Sequence, residues 1–249
     1  MTEWVIAAAG VGVGLVFGLF GAGGSAFATP VLALLGVPGA LAVASPLPGM
    51  VPAAVAGARR YLKSGRLDVR TARLAILGGL PGTVLGALAS VALGGHKLLL
   101  LSGLMLLVVG ARVVLPDPAG ADERASRRRD NAWLVAGAAF VVGLMTGLLA
   151  NGGGFLLVPL FILVLGLTAT EAAGTSIVAV GALTIPTLAT HWFLGHIDWP
   201  VAIAFGLGLV PGSWLGARLA QRIPAREARR AFGLMLVVFA AWFLVHLTV

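Results

Sequence analysis

The sequence has no cysteine and few charged residues. Without cysteine there is no disulfide, thiolate nucleophile or cysteine-ligated metal, and the redox compartment cannot be read. Charged residues make up 10% of the 249 residues, against roughly 25% in an ordinary soluble domain, which is too few to cover a soluble surface. With 59% hydrophobic residues and a mean hydropathy of +1.03, the composition excludes a cytosolic enzyme, a secreted domain and a disordered chain. It indicates an all-α polytopic membrane protein.

The net charge of +8 comes from basic residues that are confined to short windows. Of the 17 Lys and Arg residues, 15 lie in residues 59–73, 124–129 and 218–230, each between apolar runs. A nucleic-acid-binding protein needs its basic residues on one solvated, folded face, so we expect no nucleic-acid partner. The windows are typical of cytoplasmic loops under the positive-inside rule.

The longest polar stretch, residues 116–131, reads PDPAGADERASRRRDN and divides the chain near its middle. Its prolines, small residues and mixed charges are typical of a linker. We therefore predict a first transmembrane repeat over residues 1–115, a cytoplasmic linker over 116–131 and a second transmembrane repeat over 132–249.

Three motifs recur in the same order in both halves, about 130 residues apart. Individually they are weak, but a shared order and spacing indicate an internal duplication, as in many transporters. The pairs are Gly21-Ala22-Gly23-Gly24-Ser25 with Ala150-Asn151-Gly152-Gly153-Gly154, Gly65-x-x-Asp68 with Gly195-x-x-Asp198, and Pro81-Gly82-x-x-x-Gly86-Ala87 with Pro211-Gly212-x-x-x-Gly216-Ala217.

Each half contains five apolar runs, and most are close to the ~20 residues that cross a bilayer. The exceptions, 25–36 and 155–166, are long enough for only about 18 Å of helix, so we predict half-helices or re-entrant segments there. The runs are 4–20, 25–36, 40–58, 74–93 and 97–115 in the first half, and 132–149, 155–166, 172–190, 200–217 and 231–247 in the second.

The basic loop changes place between the halves, which bears on their orientation. The loop at 59–73 is basic whereas its partner at 190–199 has no Lys or Arg, and the loop at 218–230 is basic whereas its partner at 94–97 has one Lys. Under the positive-inside rule the halves then insert with opposite orientation. We predict an inverted repeat of two five-segment halves with both termini outside. The alternative of eight helices in one sense would leave five arginines on the outer face.

The glycine-rich breaks are the strongest candidates for a site. A helix interruption at membrane depth survives only inside protein or beside a water-filled cavity, and helix N-termini offer unpaired N–H groups and partial positive charge. Two such ends facing each other near the midplane would bind an anion without a buried Lys or Arg. The alternative is that these glycines only allow close helix packing. The predicted substrate-binding residues here are Gly21, Gly23, Gly24 and Ser25, with Asn151, Gly152, Gly153 and Gly154.

A second aligned pair supplies hydroxyl groups, since Ser45 matches Thr175 and Ser176 follows. These hydroxyls could donate to an oxyanion, or could serve in helix-to-helix hydrogen bonds or as N-caps. Asp68 and Asp198 each precede a predicted helix and are expected to cap it. We find no carboxylate at the centre of a predicted helix, where a proton-coupled carrier often has one.

The remaining chemistry-bearing residues do not favour catalysis or cofactor binding. Four scattered histidines without cysteine do not make a metal site; His191 and His196 flank an outer loop whose Trp192 and Trp199 are typical of an interfacial belt. Ser25 has no histidine base at a predicted helix centre, so an intramembrane hydrolase is not expected. The chain has no GxxxxGK[ST] motif, so ATP is not expected as a direct energy source. We expect no catalytic residue, metal or cofactor.

The segments GLFGAGGSAFATPVLALLG and GLLANGGGFLLVPLFILVLG, with the turns and Gly-x-x-Asp loops that follow, resemble the duplicated signature of TauE/SafE-type sulfite exporters. The resemblance covers nearly the whole chain. It implies transport of sulfite, sulfonates or related anions across the bacterial inner membrane. It also implies a paired substrate region at Gly21, Gly23, Gly24 and Pro30 with Gly152, Gly153, Gly154 and Pro159.

The first half departs from this signature in two places. Ser25 stands where a third glycine is usual, and Ala44-Ser45-Pro46 stands where the pattern expects a sequence such as Gly174-Thr175-Ser176. The prediction is a multi-pass secondary transporter for a small anion in the inner membrane, with an anion channel as the alternative. Its partners would be the anion and the lipid bilayer, and the sequence leaves a homo-oligomer open.

Overall fold

A computed structural model describes residues 3–90, 95–115, 131–149 and 154–248 of the chain. These residues fold into helices, and five helical stretches among them are long and apolar enough to cross a membrane. The helices are α1 (Glu3–Leu19), a 3₁₀ helix (Gly21–Phe27), α2 (Ala28–Leu34), α3 (Gly39–Ala44), α4 (Leu47–Lys63), α5 (Val69–Ser90), α6 (Gly95–Val114), α7 (Ala132–Leu149), α8 (Gly154–Leu163), α9 (Ala169–Phe193), α10 (Trp199–Ala220) and α11 (Ala225–Thr248).

Most helices match the predicted apolar runs and extend a few residues beyond them. The short run 25–36 is confirmed as a separate, broken segment, because it holds part of the 3₁₀ helix followed by α2. The short run 155–166 corresponds to α8, which has 10 residues. The linker 116–131 lies outside the described residues except for its last one.

Helices α1 and α10 pack through facing glycines. A Cβ built at Gly14 would lie 3.0 Å from the Cα of Gly212, and one built at Gly18 would lie 2.7 Å from the backbone nitrogen of Ala217. Small residues four apart let two helix backbones approach this closely without side chains between them. Because contacts advance in the same order along both helices, α1 and α10 run in the same direction.

Helices α5 and α7 pack in the same way, but here the first helix comes from the second half of the chain and the fourth helix from the first half. A Cβ built at Gly82 would lie 2.8 Å from the nitrogen of Leu144, and one built at Gly147 would lie 2.7 Å from the nitrogen of Ala87. Gly147 is the counterpart of Gly18, and Ala87 that of Ala217. In each case the first helix of one half packs on the fourth helix of the other half.

The helices fall into two groups of opposite direction. In the first helix group, α4 joins α1 and α10: the Cβ of Gly49 would meet Gly206, and Ser213 Oγ donates to the carbonyl oxygen of Ala53 at 2.8 Å. In the second helix group, α9 joins α5 and α7, since a Cβ at Gly79 would lie 3.0 Å from the side chain of Leu183. The groups meet where α4 crosses α9 in the opposite sense, as the contacts of Gly57 with Ile177 and of Gly181 with Ala54 show.

The two described basic windows lie at one end of the molecule. The guanidinium groups of Arg60 and Arg218 lie 5.7 Å and 5.8 Å from the ring centre of Trp214. Gln221 Nε2 donates to the carbonyl oxygen of Arg60 at 3.3 Å. We call this end, where α4 and α10 finish, the basic end. The window 124–129 lies outside the described residues.

Candidate functional site

The break after α1 begins at a backbone position that favours glycine. Gly21 has a φ of +72°, which disfavours a side chain. A Cβ at this position would also lie 2.5 Å from the Cα of Ala173 and 2.5 Å from Ser176 Oγ. The chain therefore turns directly against the first two turns of α9.

The depth of this break differs from the prediction. Gly18, three residues earlier, accepts a 2.9 Å hydrogen bond from the hydroxyl of Tyr61, which lies two residues before the end of α4. Gly18 also packs beside Ala217, near the end of α10. The first break thus lies near the basic end and not at mid-membrane. The reason is length: the 17 residues of α1 extend about 25 Å, most of the apolar thickness.

After the break the chain turns back along α11. The rings of Phe20 and Phe232 stack with centroids 5.4 Å apart, and those of Phe27 and Phe239 meet edge-on at 4.5 Å. The two contacts are seven residues apart in both segments and follow the same order, so the 3₁₀ helix and α11 run in the same direction. Because α11 begins shortly after α10 ends, at the basic end, the 3₁₀ helix rises from that end toward the opposite one. Its N–H groups therefore point toward the basic end.

Buried hydroxyl groups surround the 3₁₀ helix. Ser25 and Thr29 are fully buried, and each has a polar partner. Across the contact lies Ser176, also fully buried, whose Oγ donates to the carbonyl oxygen of Ala173 at 3.0 Å. The 3₁₀ helix also packs against α8. The polar groups of this region are consequently hydroxyls and backbone amides.

Ser45 and Thr175 have matching structural roles. Thr175 Oγ1 accepts the N–H of Asp68 at 3.0 Å, and Ser45 Oγ accepts the N–H of Asp198 at 3.0 Å. Each aspartate then caps its helix: Asp68 Oδ1 accepts from Thr71 N, and Asp198 Oδ1 accepts from Val201 N, which confirms the predicted caps. Both hydroxyls are fully buried, and each keeps its own O–H to donate.

The structure brings some of the predicted site residues together and separates others. Gly21, Gly23, Gly24 and Ser25 form the 3₁₀ helix, which faces the first turns of α9, where Thr175 and Ser176 lie. Ser45 lies at the opposite end of the molecule, beside the start of α10. Gly154 begins α8, and Asn151, Gly152 and Gly153 lie outside the described residues.

A cation lies close to the first break, which the sequence did not single out. Arg229 lines a small cavity of ≈ 10 Å³ with Leu19, Phe20 and Thr170. Its Nε donates to the carbonyl oxygen of Val113 at 3.3 Å, at the end of α6. The charge pattern alone assigned this arginine to a basic loop. Arg229 therefore lies beside the residues that immediately precede the break.

Two buried polar rings occupy matching positions at the ends of α4 and α9. Tyr61 is fully buried, and its counterpart His191 is 2% exposed. His191 Nδ1 lies 3.1 Å from His196 Nδ1. The prediction of an interfacial belt fits Trp192 and Trp199, which are exposed and whose rings meet edge-on at 5.5 Å. In the part of the chain that the structure describes, no group of three or more His, Cys, Asp or Glu residues could hold a metal ion.

Comparison with known proteins gives one matching family. The family model described as "Sulfite exporter TauE/SafE" matches residues 6–243, almost the whole chain. No solved structure is detectably similar to the chain.

Curated relatives match over nearly their full length. A "Probable membrane transporter protein" of Xylella fastidiosa (strain 9a5c) is 30% identical over 239 residues, covering 92% of this chain and 90% of the relative. The "Probable membrane transporter protein YunE" of Bacillus subtilis (strain 168) is 24% identical over 246 residues, covering 90% and 89%. The family match therefore extends through both halves of the sequence.

Proposed function

The chain belongs to the TauE/SafE sulfite exporter family, and from this premise we propose that it is a secondary transporter of a small anion. It is a multi-pass membrane transporter and not an enzyme. The proposal concerns the finer points. The substrate is a sulfur oxyanion or organosulfonate such as sulfite, the membrane is the inner membrane, and transport proceeds by alternating access.

The observation that carries the proposal is the interrupted helix at Gly21–Phe27, buried between the halves of the chain. It packs on α8 and α9, both from the second half. Because its N–H groups point toward the basic end, an anion that enters from that end would meet them together with the neighbouring hydroxyls. Backbone and hydroxyl donors suit an oxyanion, which accepts several hydrogen bonds at once.

The substrate region in this proposal consists of the two glycine-rich breaks. Gly21, Gly23 and Gly24 let the anion approach the backbone, while Ser25 and Ser176 turn their hydroxyl hydrogens toward it. For Ser176 this means giving up the bond to the carbonyl oxygen of Ala173. Asn151, Gly152, Gly153 and Gly154 supply the equivalent break from the second half. Thr175 and Ser45 contribute their remaining O–H groups from opposite ends of the path. Arg229 attracts the anion at the basic end.

We also propose that the two halves, residues 1–115 and 132–249, form an inverted repeat joined by a cytoplasmic linker. The reciprocal contacts support it: Gly18 meets Ala217 as Gly147 meets Ala87, and Thr175 accepts from Asp68 as Ser45 accepts from Asp198. In addition, α4 and its counterpart α9 run in opposite directions. A transporter of this design alternates by rocking one set of helices against the other.

Thermal stability in the presence of anions tests the binding region. Sulfite, thiosulfate, sulfoacetate, taurine and chloride are added singly to the purified protein, because a ligand that binds the fold raises its apparent stability. We expect a sulfur oxyanion or sulfonate to raise it and chloride not to. Gly23→Val and Gly153→Val should each abolish this shift while the protein still inserts. If neither removes the shift, the glycine breaks are not the substrate region.

Serine variants give a gentler test. Ser25→Ala and Ser176→Ala each remove one donor to a charged ligand, and should weaken anion binding about tenfold to hundredfold. Ser213→Ala is the matched control, because Ser213 is equally buried and bonds the carbonyl oxygen of Ala53. It should cost stability without weakening binding. Equal loss of binding in all three variants would argue against a hydroxyl-lined site.

Flux in proteoliposomes tests the mode of transport. A transporter saturates with the anion that gave the thermal shift, and external anion accelerates the release of labelled internal anion. A channel with the same breaks lining its pore would show neither saturation at low concentration nor exchange. Flux that neither saturates nor shows exchange would mean that the protein is a channel and not a transporter. If none of the tested anions passes, both functions are refuted.

Orientation is tested with single cysteines, since the chain has none of its own. Ser64 and Leu194 are exposed counterparts in the loops after α4 and α9. In oriented cells, Ser64→Cys should react with an impermeant thiol reagent only after membrane disruption. Leu194→Cys should react from outside. Labelling of both from the same side would refute the inverted repeat.

A further inference from the structure

His191 and His196 form a pair of imidazoles at the end of α9. Their Nδ1 atoms are 3.1 Å apart, and the ring centroids are 5.3 Å apart at an interplanar angle of 44°. His191 is buried and His196 is half-buried. The pair therefore extends from a position that water reaches to one inside the protein, at the end opposite the basic residues.

The geometry limits how many protons this pair can hold. A hydrogen bond between two Nδ1 atoms needs a hydrogen on one and a lone pair on the other. Two neutral imidazoles satisfy it, and one added proton on the Nε2 of the donor ring leaves the bond intact. A second added proton would place hydrogens on both Nδ1 atoms and break the bond. The intact pair consequently accepts a single proton.

The surroundings of His191 favour an anion as the partner of that charge. The backbone of Gly147, at the end of α7, lies beside the ring, and His196 is the ionisable side chain that acts on it. Helix α7 has no charged residue, and α5 has none after Arg73. The nearest carboxylate in the sequence, Asp198, is engaged by the Val201 N–H. His191 Nε2 is buried, and the backbone of Gly147 is the polar group on α7 that acts on the ring.

Several buried polar side chains lie on one side of α9 between the first break and the pair, with Val180 and Leu183 among them. Ser176, Thr184, Thr187 and His191 are buried and lie on one side of the helix at 3.6 residues per turn. Thr187 Oγ1 donates to the carbonyl oxygen of Leu183 at 3.0 Å, whereas Thr184 Oγ1 has no partner among the described residues. The matching face of α4 has Pro46, Ala54, Gly57 and Tyr61 in the same positions. Of these two matching faces, the one on α9 therefore carries three aliphatic hydroxyl groups and ends in an imidazole.

We propose that the His191–His196 pair binds one proton, taken from water on the side of His196, and that this proton is coupled to movement of the anion along this side of α9. The coupling rests on the proposed transport function. The protonated pair attracts the anion, and departure of the anion frees the proton to leave. Anion flux should therefore rise as the pH falls.

Proton binding is measured without reference to transport. The chain has four histidines, so ¹⁵N-histidine spectra of the protein in lipid nanodiscs are assigned with single asparagine variants. We expect the signals of His191 and His196 to change together over one titration that adds one proton. Two independent titrations, each adding a proton, would overturn the pair as a single site, whether or not the protein transports anions.

Coupling is measured with thiosulfate, whose charge is constant across the neutral range. In proteoliposomes, flux of the wild type should rise by up to about tenfold per pH unit, because one bound proton is linked to one transit. His191→Asn and His196→Asn should lose this dependence, and His246→Asn should keep it. If thiosulfate does not pass, ethanesulfonate replaces it, since its charge is also constant.

The outcomes separate the two proposals. Pair protonation together with pH-independent flux would overturn the coupling and leave the transporter standing. A pH dependence that survives in both pair variants would do the same. Absence of flux for every anion in the wild type would refute the transport function and with it the coupling, whereas the spectra would still decide whether the pair binds a proton. If His191→Asn fails to insert, the test uses His196→Asn, whose position is half-buried, together with the spectra of the wild type.

Discussion

The two helix groups are packed alike but differ in polarity. The first consists of α1, α4 and α10, and the second of the matching helices α7, α9 and α5. Their backbones meet through the same glycine contacts, as at Gly18 with Ala217 and Gly147 with Ala87. Inside the groups, Phe17 of α1 is replaced by Thr146 in α7, and Tyr61 of α4 by His191 in α9. The glycine contacts are thus alike in the two groups, whereas the side chains between them differ.

This difference indicates a division of labour between the halves. In the first helix group, Tyr61 bonds the carbonyl oxygen of Gly18 and fastens the end of α1 in place. In the second, the corresponding ring is a histidine that lies against a second imidazole, and in our proposal the two bind a proton together. If the first group is rigid and the second can change its charge, the second would respond to protons while the first remains constant.

The largest expected effect tests whether the scaffold is shared. Gly18→Val and Gly147→Val each place a branched side chain against the backbone of a neighbouring helix, at positions where a Cβ would already lie 2.7 Å from a nitrogen atom. Each should destabilise the fold by about 3 kcal/mol or more, since overpacking of this kind forces the helices apart. The folded fraction in detergent, measured by size exclusion and thermal unfolding, reports the loss.

Gly12 and Gly137 are the matched controls for these variants. A Cβ built at either position has nothing within 4 Å, so Gly12→Val and Gly137→Val should change stability by less than about 1 kcal/mol. Severe loss from Gly18→Val with little from Gly147→Val would show that the halves are not packed equivalently. That result would refute the claim that the two helix groups are packed alike.

The next effect concerns the reciprocal loop bonds. Ser45→Ala and Thr175→Val remove the acceptors of the Asp198 and Asp68 N–H groups, which lie 3.0 Å away. Each should cost about 1 to 3 kcal/mol, because a partly buried N–H loses its partner. Thermal unfolding without anion measures this cost. A loss in only one variant would mean that the matched distances do not reflect matched energetics.

The sequence alone predicts much of this arrangement because its signals are local. The repeated Gly-x-x-Asp loops predicted caps at Asp68 and Asp198, and the short run after Gly21 predicted a broken segment. The composition and the basic windows predicted a helical membrane protein with its described basic loops at one end. Each of these follows from a few neighbouring residues, so no knowledge of tertiary packing is required.

The remaining features depend on distances along the membrane and on contacts between helices. The break at Gly21 was predicted at mid-membrane, but 17 residues of α1 already carry it to the basic end. That outcome was available from helix length. The glycines at positions 10, 14 and 18, four apart, also signalled close packing. The proximity of Arg229 to Phe20 had no local signal, because 209 residues of chain separate them.

A smaller effect tests the Tyr61–His191 exchange directly. Tyr61→Phe should lose about 1 kcal/mol, the typical value of one hydrogen bond, at any neutral pH. His191→Tyr gives the second group the ring of the first, and its hydroxyl can donate to the carbonyl oxygen of Gly147 as Tyr61 does to that of Gly18. Thiosulfate flux should then no longer vary with pH. Unchanged pH dependence in His191→Tyr would remove the proposed division of labour.

The smallest expected effect separates the basic end from the opposite end. Trp214 lies between the guanidinium groups of Arg60 and Arg218, whereas its counterpart on α5 is Val84. Trp214→Leu should cost about 1 kcal/mol in thermal unfolding, since each exposed cation–π contact contributes about 0.5 to 1 kcal/mol. Val84→Leu, a change at the matching position without cations, should cost less. Because Trp214 lies far from both glycine-rich segments in the sequence, anion binding should be unaffected. A weaker anion shift in Trp214→Leu would mean that the basic end reaches into the substrate path.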